Sequence, residues 1–376
     1  MKVIIDVSNI KVGGGLQASI STINNIIEIN DDNEYFFILS ERVASQLNLD
    51  KMQYYSIINT GFSTLLPFSS SKKRIKKLVH DYDVVFTIFG PCFWGKSEKH
   101  LIGFANAWIV SPNSIAYQTL NYKDKIVNKI KYYVLSKILF DKSCHYVTET
   151  EIVKDLFINY FNTFNDNISV VSNTLPYIYD QNDQNDQNKS INDYVLPNKF
   201  GKYFKFISIT NNYPHKNLKI IEDVGRELFN QGYYVLFIVT IDHKEYESLS
   251  ESFKKHTYNF GPVSVKDSLK LYSLSDALFL PTLIECFTVS YLEAMANKLP
   301  IVTSDLDFAH DLCGNSAIYF NPLDYVDIAN KIITLINSEK NYLECVNKGE
   351  VQLKKYPNSK QRTSLYLKLI NQLGNK

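Results

Sequence analysis

The 376-residue chain carries 40 Lys and Arg against 39 Asp and Glu, a formal net charge of +1, and 45% of its residues are hydrophobic. That length suggests two domains with ample material for two cores, and the near-zero charge argues against a binder of nucleic acid or other polyanions over the whole molecule. The five cysteines, Cys92, Cys144, Cys286, Cys313 and Cys345, are odd in number and contain no C-x-x-C pair, which argues for reduced thiols in a cytosol and against a disulfide framework or a zinc site.

Met1-Lys2 leads straight into VIIDV, so no signal peptide is expected, and no apolar run approaches the ~20 residues a membrane helix needs. Lys2–Val7 reads as a buried first strand, followed by Gly13-Gly14-Gly15 and a helix reaching Ile29. Strand, glycine loop and helix make a phosphate-approach geometry, and a flexible turn reads equally well from these residues alone. Short apolar runs at 35–39, 54–58, 84–88 and 101–105 alternate with helical or polar segments, a pattern that predicts a parallel sheet covered on both faces.

Between Ser71 and Lys142, 13 Lys and Arg oppose five Asp and Glu, clustered in SKKRIKKLV and YKDKIVNKIKYYVLSKILF. In the second cluster Ile126, Ile130, Tyr133, Val134 and Ile138 recur at helical spacing among lysines, which predicts a solvated basic helix packing its apolar stripe on the sheet. The alternative is docking on anionic lipid, at roughly 1 kcal/mol per basic residue near the surface. A strand at His145–Thr148, a helix from Glu151 and the run ISVVSNTLP complete the first domain, taken as 1–178. Residues 179–200 read as a polar linker, because DQNDQNDQNKSIND cannot bury a core.

A second domain, 201–355, opens with the strand KFISIT and the turn Asn211-Asn212-Tyr213-Pro214-His215-Lys216-Asn217, where a lysine between strand and helix is poised for a phosphate. YVLFIV is a further buried strand. Another apolar run, Ala277–Leu280, ends at Pro281, and a short turn then feeds a helix with Glu285 near its entrance and Glu293 inside it. The free N–H groups of that first turn, Phe287 to Val289, attract anions, with the helix dipole adding about 0.3–1 kcal/mol per negative group. From Phe287 to Glu293 the helix rises about 9 Å at roughly 1.5 Å per residue, so one carboxylate reaches a group before a bound diphosphate and the other a group beyond it. A nucleotide-sugar has that layout, and carboxylates accept hydrogen bonds from its hydroxyls. Two Glu residues eight apart on a helix are more often a solvated face; a strand closed by proline, a polar turn and both acids together favour the site. Asp305-Leu306-Asp307 mimics a metal-binding D-x-D but follows PIVTS as a helix cap would. Helices at 326–336 and 360–373 end the chain.

Glu285, seven intervening residues and Glu293, then AMANKLPIVTSD and NPLD at 321–324, resemble the donor-site motif of the retaining glycosyltransferases of family 4. The likeness extends more weakly over nearly the whole chain. It implies the GT-B fold, an α/β architecture of two Rossmann-like domains whose parallel sheets face each other across a cleft, with 356–376 returning to the first domain. It implies a UDP- or GDP-sugar donor, no metal or other cofactor, and a glycan or polyprenyl-linked acceptor. The setting would be bacterial surface polysaccharide or lipopolysaccharide synthesis at the cytoplasmic side of the membrane. Carried over by position, Glu285 and Lys216 are the catalytic residues, and Gly14, Gly15, Asn106, Asn211, Val263, Phe287, Thr288 and Glu293 bind the donor.

Three departures stand out. The family usually reads E-G-F-G where this chain has Glu285-Cys286-Phe287-Thr288; it commonly has an arginine where Asn211 stands, with a protonated His215 as the nearest substitute for that charge; and it often has a histidine where Asn106 lies. Asn106 cannot act as a base near neutral pH, which speaks against inversion. A catalytically silent scaffold in polysaccharide assembly, or a nucleotide-sugar 2-epimerase, are the alternative readings.

Overall fold

The computed structural model describes residues 1–11, 13–29, 31–179 and 194–375, so most of the expected linker, 180–193, lies outside the described residues. The chain forms two compact units. One comprises Met1–Asn113, Asn121–Tyr177 and Pro357–Lys376; the other comprises Ser114–Leu120 and Ile178–Tyr356. Among the described residues no cysteine is disulfide-bonded, and no helix is long and apolar enough to cross a membrane.

The first unit contains β1 (Lys2–Val7), β2 (Glu34–Leu39), β3 (Tyr55–Ile57), β4 (Val84–Thr87), β5 (His100–Phe104), β6 (His145–Thr148) and β7 (Ile168–Val170), in the order β3-β2-β1-β4-β5-β6-β7. All pairs are parallel; Ile4 lies opposite Phe36 on one side of β1 and Val85 on the other. Alternate residues serve opposite faces of the sheet. Val3, Ile5, Val7 and Phe86 join a core with residues of the helices Gly14–Glu28 and Ser359–Gly374. Phe104 and Tyr146 instead meet Phe157 of the Glu151–Phe161 helix, at ring centroid distances of 5.0 and 4.8 Å. Covering both faces is what makes the strands continuous apolar runs.

The C-terminal helix is fixed at its start by a capping box: Asn358 Oδ1 accepts from Gln361 N, and Gln361 Oε1 accepts from Asn358 N. One turn later the buried Arg362 donates to Asn173 Oδ1, to the Ala18 carbonyl at 3.1 Å and to Thr22 Oγ1 at 3.2 Å.

The second unit contains β8 (Phe204–Ser208), β9 (Val235–Val239), β10 (Thr257–Asn259), β11 (Ala277–Leu280), β12 (Ile301–Ser304) and β13 (Ala317–Phe320), in the order β10-β9-β8-β11-β12-β13, again all parallel. Phe206 stacks on Phe237 and Phe279 on Phe320, with Phe237 meeting Phe279 edge-on, so the four rings run through its core. Each sheet starts mid-way, runs to one edge, and returns to build the other. The order reverses between β1 and β4 in the first unit and between β8 and β11 in the second, and it is outside the carboxyl ends of such strands that ligands bind.

Two expectations change. The Tyr122–Leu139 helix forms, but Ile126, Ile130, Tyr133 and Val134 do not pack on the sheet; they are exposed. Leu135 and Leu139, with Tyr132 stacked on Trp108, fill the contact instead. Neither aspartate of Asp305-Leu306-Asp307 is a helix cap: Leu306 takes that position without a side-chain bond, Asp307 opens the Asp307–Cys313 helix, and Asp305 pairs with His310.

Candidate active site

The switch point of the second unit brings together two loops 69 residues apart in the chain. The loop after β8 ends in the single helical turn Pro214–Lys216, closed by Asn217 in the left-handed region at φ 52°, a conformation asparagine tolerates. Asn217 Nδ2 donates to the Pro322 carbonyl at 2.8 Å, so the NPLD segment anchors this turn from β13. The loop after β11 docks on it through the backbone, with Leu283 N donating to the His215 carbonyl at 2.7 Å. Thr282 Oγ1 lies 3.2 Å from the same carbonyl and 3.0 Å from Glu285 Oε1. Lys216 Nζ then pairs with Glu285 Oε1, the two side chains 18% and 13% exposed.

The His215 ring stacks on Tyr213, and burial, reinforced by Lys216 and opposed by Glu285, pushes it down to about 4. It is therefore neutral near pH 7 and does not replace the missing arginine charge. Asn211 is exposed, and its carbonyl accepts from Tyr213 N at 2.9 Å.

Past Glu285, Cys286 and Thr288 are buried and Phe287 lies edge-on to Tyr356, with ring centroids 5.9 Å apart. Thr288 is the N-cap of the Val289–Ala296 helix. A capping threonine ordinarily accepts from the first turn, yet its side chain makes no such bond and Oγ1 has no partner although fully covered. The first N–H groups of this helix and a partnerless hydroxyl therefore occur together.

Glu293 sits one turn further in, 7% exposed, and accepts from Tyr272 Oη at 2.8 Å. Burial pushes its carboxyl up to about 7, with the Tyr272 bond working the other way. Asn297 donates to Tyr179 Oη at 2.9 Å, and the Glu293 charge adds to burial in raising Tyr179. Sequence reasoning missed both tyrosines, because neither lies at a fixed spacing from the glutamates. Val263 is half-buried in the loop after β10; the preceding Gly261, at φ 78°, has its N–H bonded to Asn259 Oδ1, an oxygen that also accepts from Ile241 N after β9. An added Cβ at Gly261 would meet only the far end of the exposed His243 ring, which can swing aside, so it is the φ of 78° that favours glycine there.

Of the ten residues singled out, Asn211, Lys216, Val263, Glu285, Phe287, Thr288 and Glu293 lie in the second unit, where Lys216 and Glu285 form an ion pair. Gly14, Gly15 and Asn106 belong to the first unit, in the segments after β1 and β5. Gly14 is exposed with open space at its Cβ position, Gly15 lies near Phe89, and Asn106 precedes the short Ala107–Val110 helix without capping it.

Residues 180–352 match the sequence model described as Glycosyl transferases group 1. The O-antigen chain mannosyltransferase RfbU of Salmonella typhimurium is 27% identical over 209 residues, 54% of this chain and 54% of that protein, so the chain spans about half the length of the curated relative it matches. Among solved structures, Anabaena HepE in complex with UDP-glucose superposes with a TM-score of 0.71 at 14% identity, over 99% of this chain and 100% of that one. A glycosyltransferase from Rickettsia africae gives 0.70 at 13%, over 99% and 98%. WaaG, a glycosyltransferase involved in lipopolysaccharide biosynthesis, gives 0.67 at 11%, over 98% and 99%. The chain has the GT-B fold, two parallel-sheet α/β units of seven and six strands.

Proposed function

We propose that the chain is a retaining glycosyltransferase of family 4 that moves a hexosyl group from a UDP- or GDP-sugar to a glycan or polyprenyl-linked acceptor. Its setting would be bacterial surface polysaccharide or lipopolysaccharide synthesis, at the cytoplasmic side of the membrane. The mannosyltransferase relative makes a mannosyl donor the first to test. One observation carries the reading: Lys216, Glu285 and Thr282 are knitted together at the switch point, one short turn from a helix start whose buried N-cap hydroxyl lacks a partner.

In this reading Lys216 and the N–H groups at the start of the Val289–Ala296 helix neutralise the departing diphosphate, while Phe287 and Thr288 line its path. Both contacts made by Glu285 fall on Oε1, which leaves Oε2 to orient sugar hydroxyls. Glu293 accepts from the ribose, the backbone beside Val263 meets the base, and Asn211 lies at the rim of the phosphate turn. Negative charge grows on the leaving phosphate as the glycosidic bond stretches, so donors fixed there beforehand contribute most, about 2.7–4 kcal/mol for one strong group. A leaving phosphate oxygen that takes the acceptor's proton makes a protein base unnecessary on the attacked face. No metal or other cofactor enters this scheme.

A thermal-shift comparison of UDP and GDP tests donor binding directly, since a ligand at about 100 times its Kd stabilises by about 2.7 kcal/mol. A shift with one of them is expected; no shift with either overturns the reading. Product analysis with and without acceptor separates transfer from 2-epimerisation, which alters the donor sugar unaided.

A further inference from the structure

We propose that Tyr194 is a positioning residue for the donor's base: its side chain clamps the loop 260–264, which carries Val263. The inference rests on the proposed function, which puts the base at that loop, and it names the group that holds the loop in shape.

The loop leaves the end of β10 and enters the Val265–Ser273 helix. Its entrance is fixed from the end of β9. Phe260 N donates to the Val239 carbonyl at 3.1 Å, and Asn259 Oδ1 accepts from both Ile241 N and Gly261 N while its Nδ2 donates to the Ile241 carbonyl. The exit is fixed by Ser264, the helix cap, whose hydroxyl accepts from Asp267 N at 3.1 Å and donates to Asp267 Oδ2 at 2.6 Å. Between these points stand exposed Pro262, which has no N–H to give, and half-buried Val263. Among the described residues neither the N–H nor the carbonyl of Val263 has a hydrogen-bond partner. A donor and an acceptor on one residue can meet the edge of a uracil or guanine, which carries both, and they do so cheaply when the loop already has its bound shape.

Tyr194 adds a contact that spans entrance and exit. Its ring meets Phe260 edge-on with centroids 5.5 Å apart, and Lys270 Nζ lies 5.5 Å from the same ring. Lys270 in turn pairs with Asp267 Oδ1 at 3.3 Å. The Ser264 hydroxyl, then Lys270 and the Tyr194 hydroxyl, hold the Asp267 carboxyl below its usual range, against the opposing effect of burial. One side chain therefore touches Phe260 before Val263 and the Asp267–Lys270 pair after it.

Covering the open edge of β10 does not account for this contact. The segment carrying Tyr194 runs antiparallel to that strand: Phe200 meets Tyr258 within β10, with centroids 6.0 Å apart, and Tyr194 lies past the strand's end. Phe200 suffices to blunt so short an edge. A tyrosine beyond it, with its hydroxyl beside Asp267, serves the loop.

Calorimetry of the full chain with UDP and GDP, paired with hydrogen exchange of the free protein, tests the assignment. Tyr194→Leu keeps an apolar side chain but has neither a ring for Phe260 and Lys270 nor a hydroxyl for Asp267. It should weaken the nucleotide that the wild type prefers about tenfold, the worth of one or two hydrogen bonds, and weaken the other less, so that discrimination narrows. Exchange of the amides in 260–266 should quicken. Tyr194 is half-buried and outside the core of its unit, so the melting temperature should stay that of the wild type. Tyr194→Phe retains the ring and should restore most of the affinity and the slow exchange. The assignment is overturned if the wild type binds both nucleotides alike, if Tyr194→Leu binds them as the wild type does or loses both equally, or if exchange in 260–266 is unaltered. A wild type that takes neither nucleotide removes the transferase reading as well; one that binds a nucleotide no better than Tyr194→Leu does removes this inference alone.

Discussion

Replacing Glu293 by Gln separates what burying this carboxyl does to stability from what it does for a ligand. The group is 7% exposed, and its rise from the ordinary 4.5 to about 7 comes from burial. At roughly 1.4 kcal/mol per pH unit, that rise corresponds to about 3 kcal/mol. Below the ordinary carboxyl value the folded and unfolded chains both hold the proton, and nothing is lost. Between 4.5 and about 7 the unfolded chain releases it while the folded chain keeps it, so stability falls with rising pH. Above about 7 the full amount is lost. Glu293→Gln does not titrate and can still accept from Tyr272. Its unfolding free energy in urea should match the wild type near the ordinary carboxyl value and exceed it by up to about 3 kcal/mol in mild alkali. Nucleotide affinity should move the other way: wild-type binding weakens as the pH drops below about 7 and the carboxylate stops accepting from both ribose hydroxyls. The variant should bind more weakly with a flat profile. A stability difference that stays constant from acid to alkaline pH would refute this reasoning.

Lys216→Ala should lower turnover about 10²–10³-fold with a smaller effect on donor KM, because the lysine acts on charge that develops in the transition state. Since Lys216 and Glu285 share one ion pair, the double variant with Glu285→Ala should cost much less than the sum of the two single losses in kcat/KM; strict additivity would separate their roles. Thr288→Val removes a covered hydroxyl that has no partner, so urea unfolding should show stability unchanged or raised by about 1 kcal/mol, while calorimetry shows weaker nucleotide binding. Arg362→Ala removes three hydrogen bonds from a buried charged donor in the first unit's core, to Asn173 Oδ1, the Ala18 carbonyl and Thr22 Oγ1, each contributing about 1.5–3 kcal/mol; a clearly lowered melting temperature is expected, with nucleotide affinity unchanged.

Much of the fold was legible because a strand covered on both faces announces itself as an apolar run. β1, β6 and β11 were read to the residue, and most other strands within about one or two residues, the usual error at element ends. What escaped was at the margins. β10 and β13 are edge strands, and Tyr258, Asn259, Ile318 and Tyr319 within them are only partly buried, so they lack the uninterrupted hydrophobicity of a central strand. The Glu339–Leu353 helix buries Gly349 alone, and it escaped for the same reason. The outward turn of the Tyr122–Leu139 helix could not be read either. Periodicity reveals that a helix has an apolar face but not which way that face points, and here the ring pair Tyr132–Trp108 decides it.

For the candidate site, the sequence supplied the residues but not their present partners. A spacing of Glu285 and Glu293 suggested two similar carboxylates flanking one ligand, yet the structure gives them opposite environments. Glu285 is already paired with Lys216 and held by Thr282. Glu293 has only hydroxyl company and is held near neutrality by burial. A covered acid that costs stability at neutral pH is hard to explain by packing alone, since a glutamine or methionine of similar size would fit more cheaply. The same logic applies to Thr288, where a valine would fill the space without leaving an oxygen unsatisfied. Both residues make the folded unit less stable than an apolar version would be, and both stand on the one helix whose first N–H groups point out beyond β11. That coincidence, more than the motif spacing, marks this helix as the place where a ligand completes the hydrogen bonding.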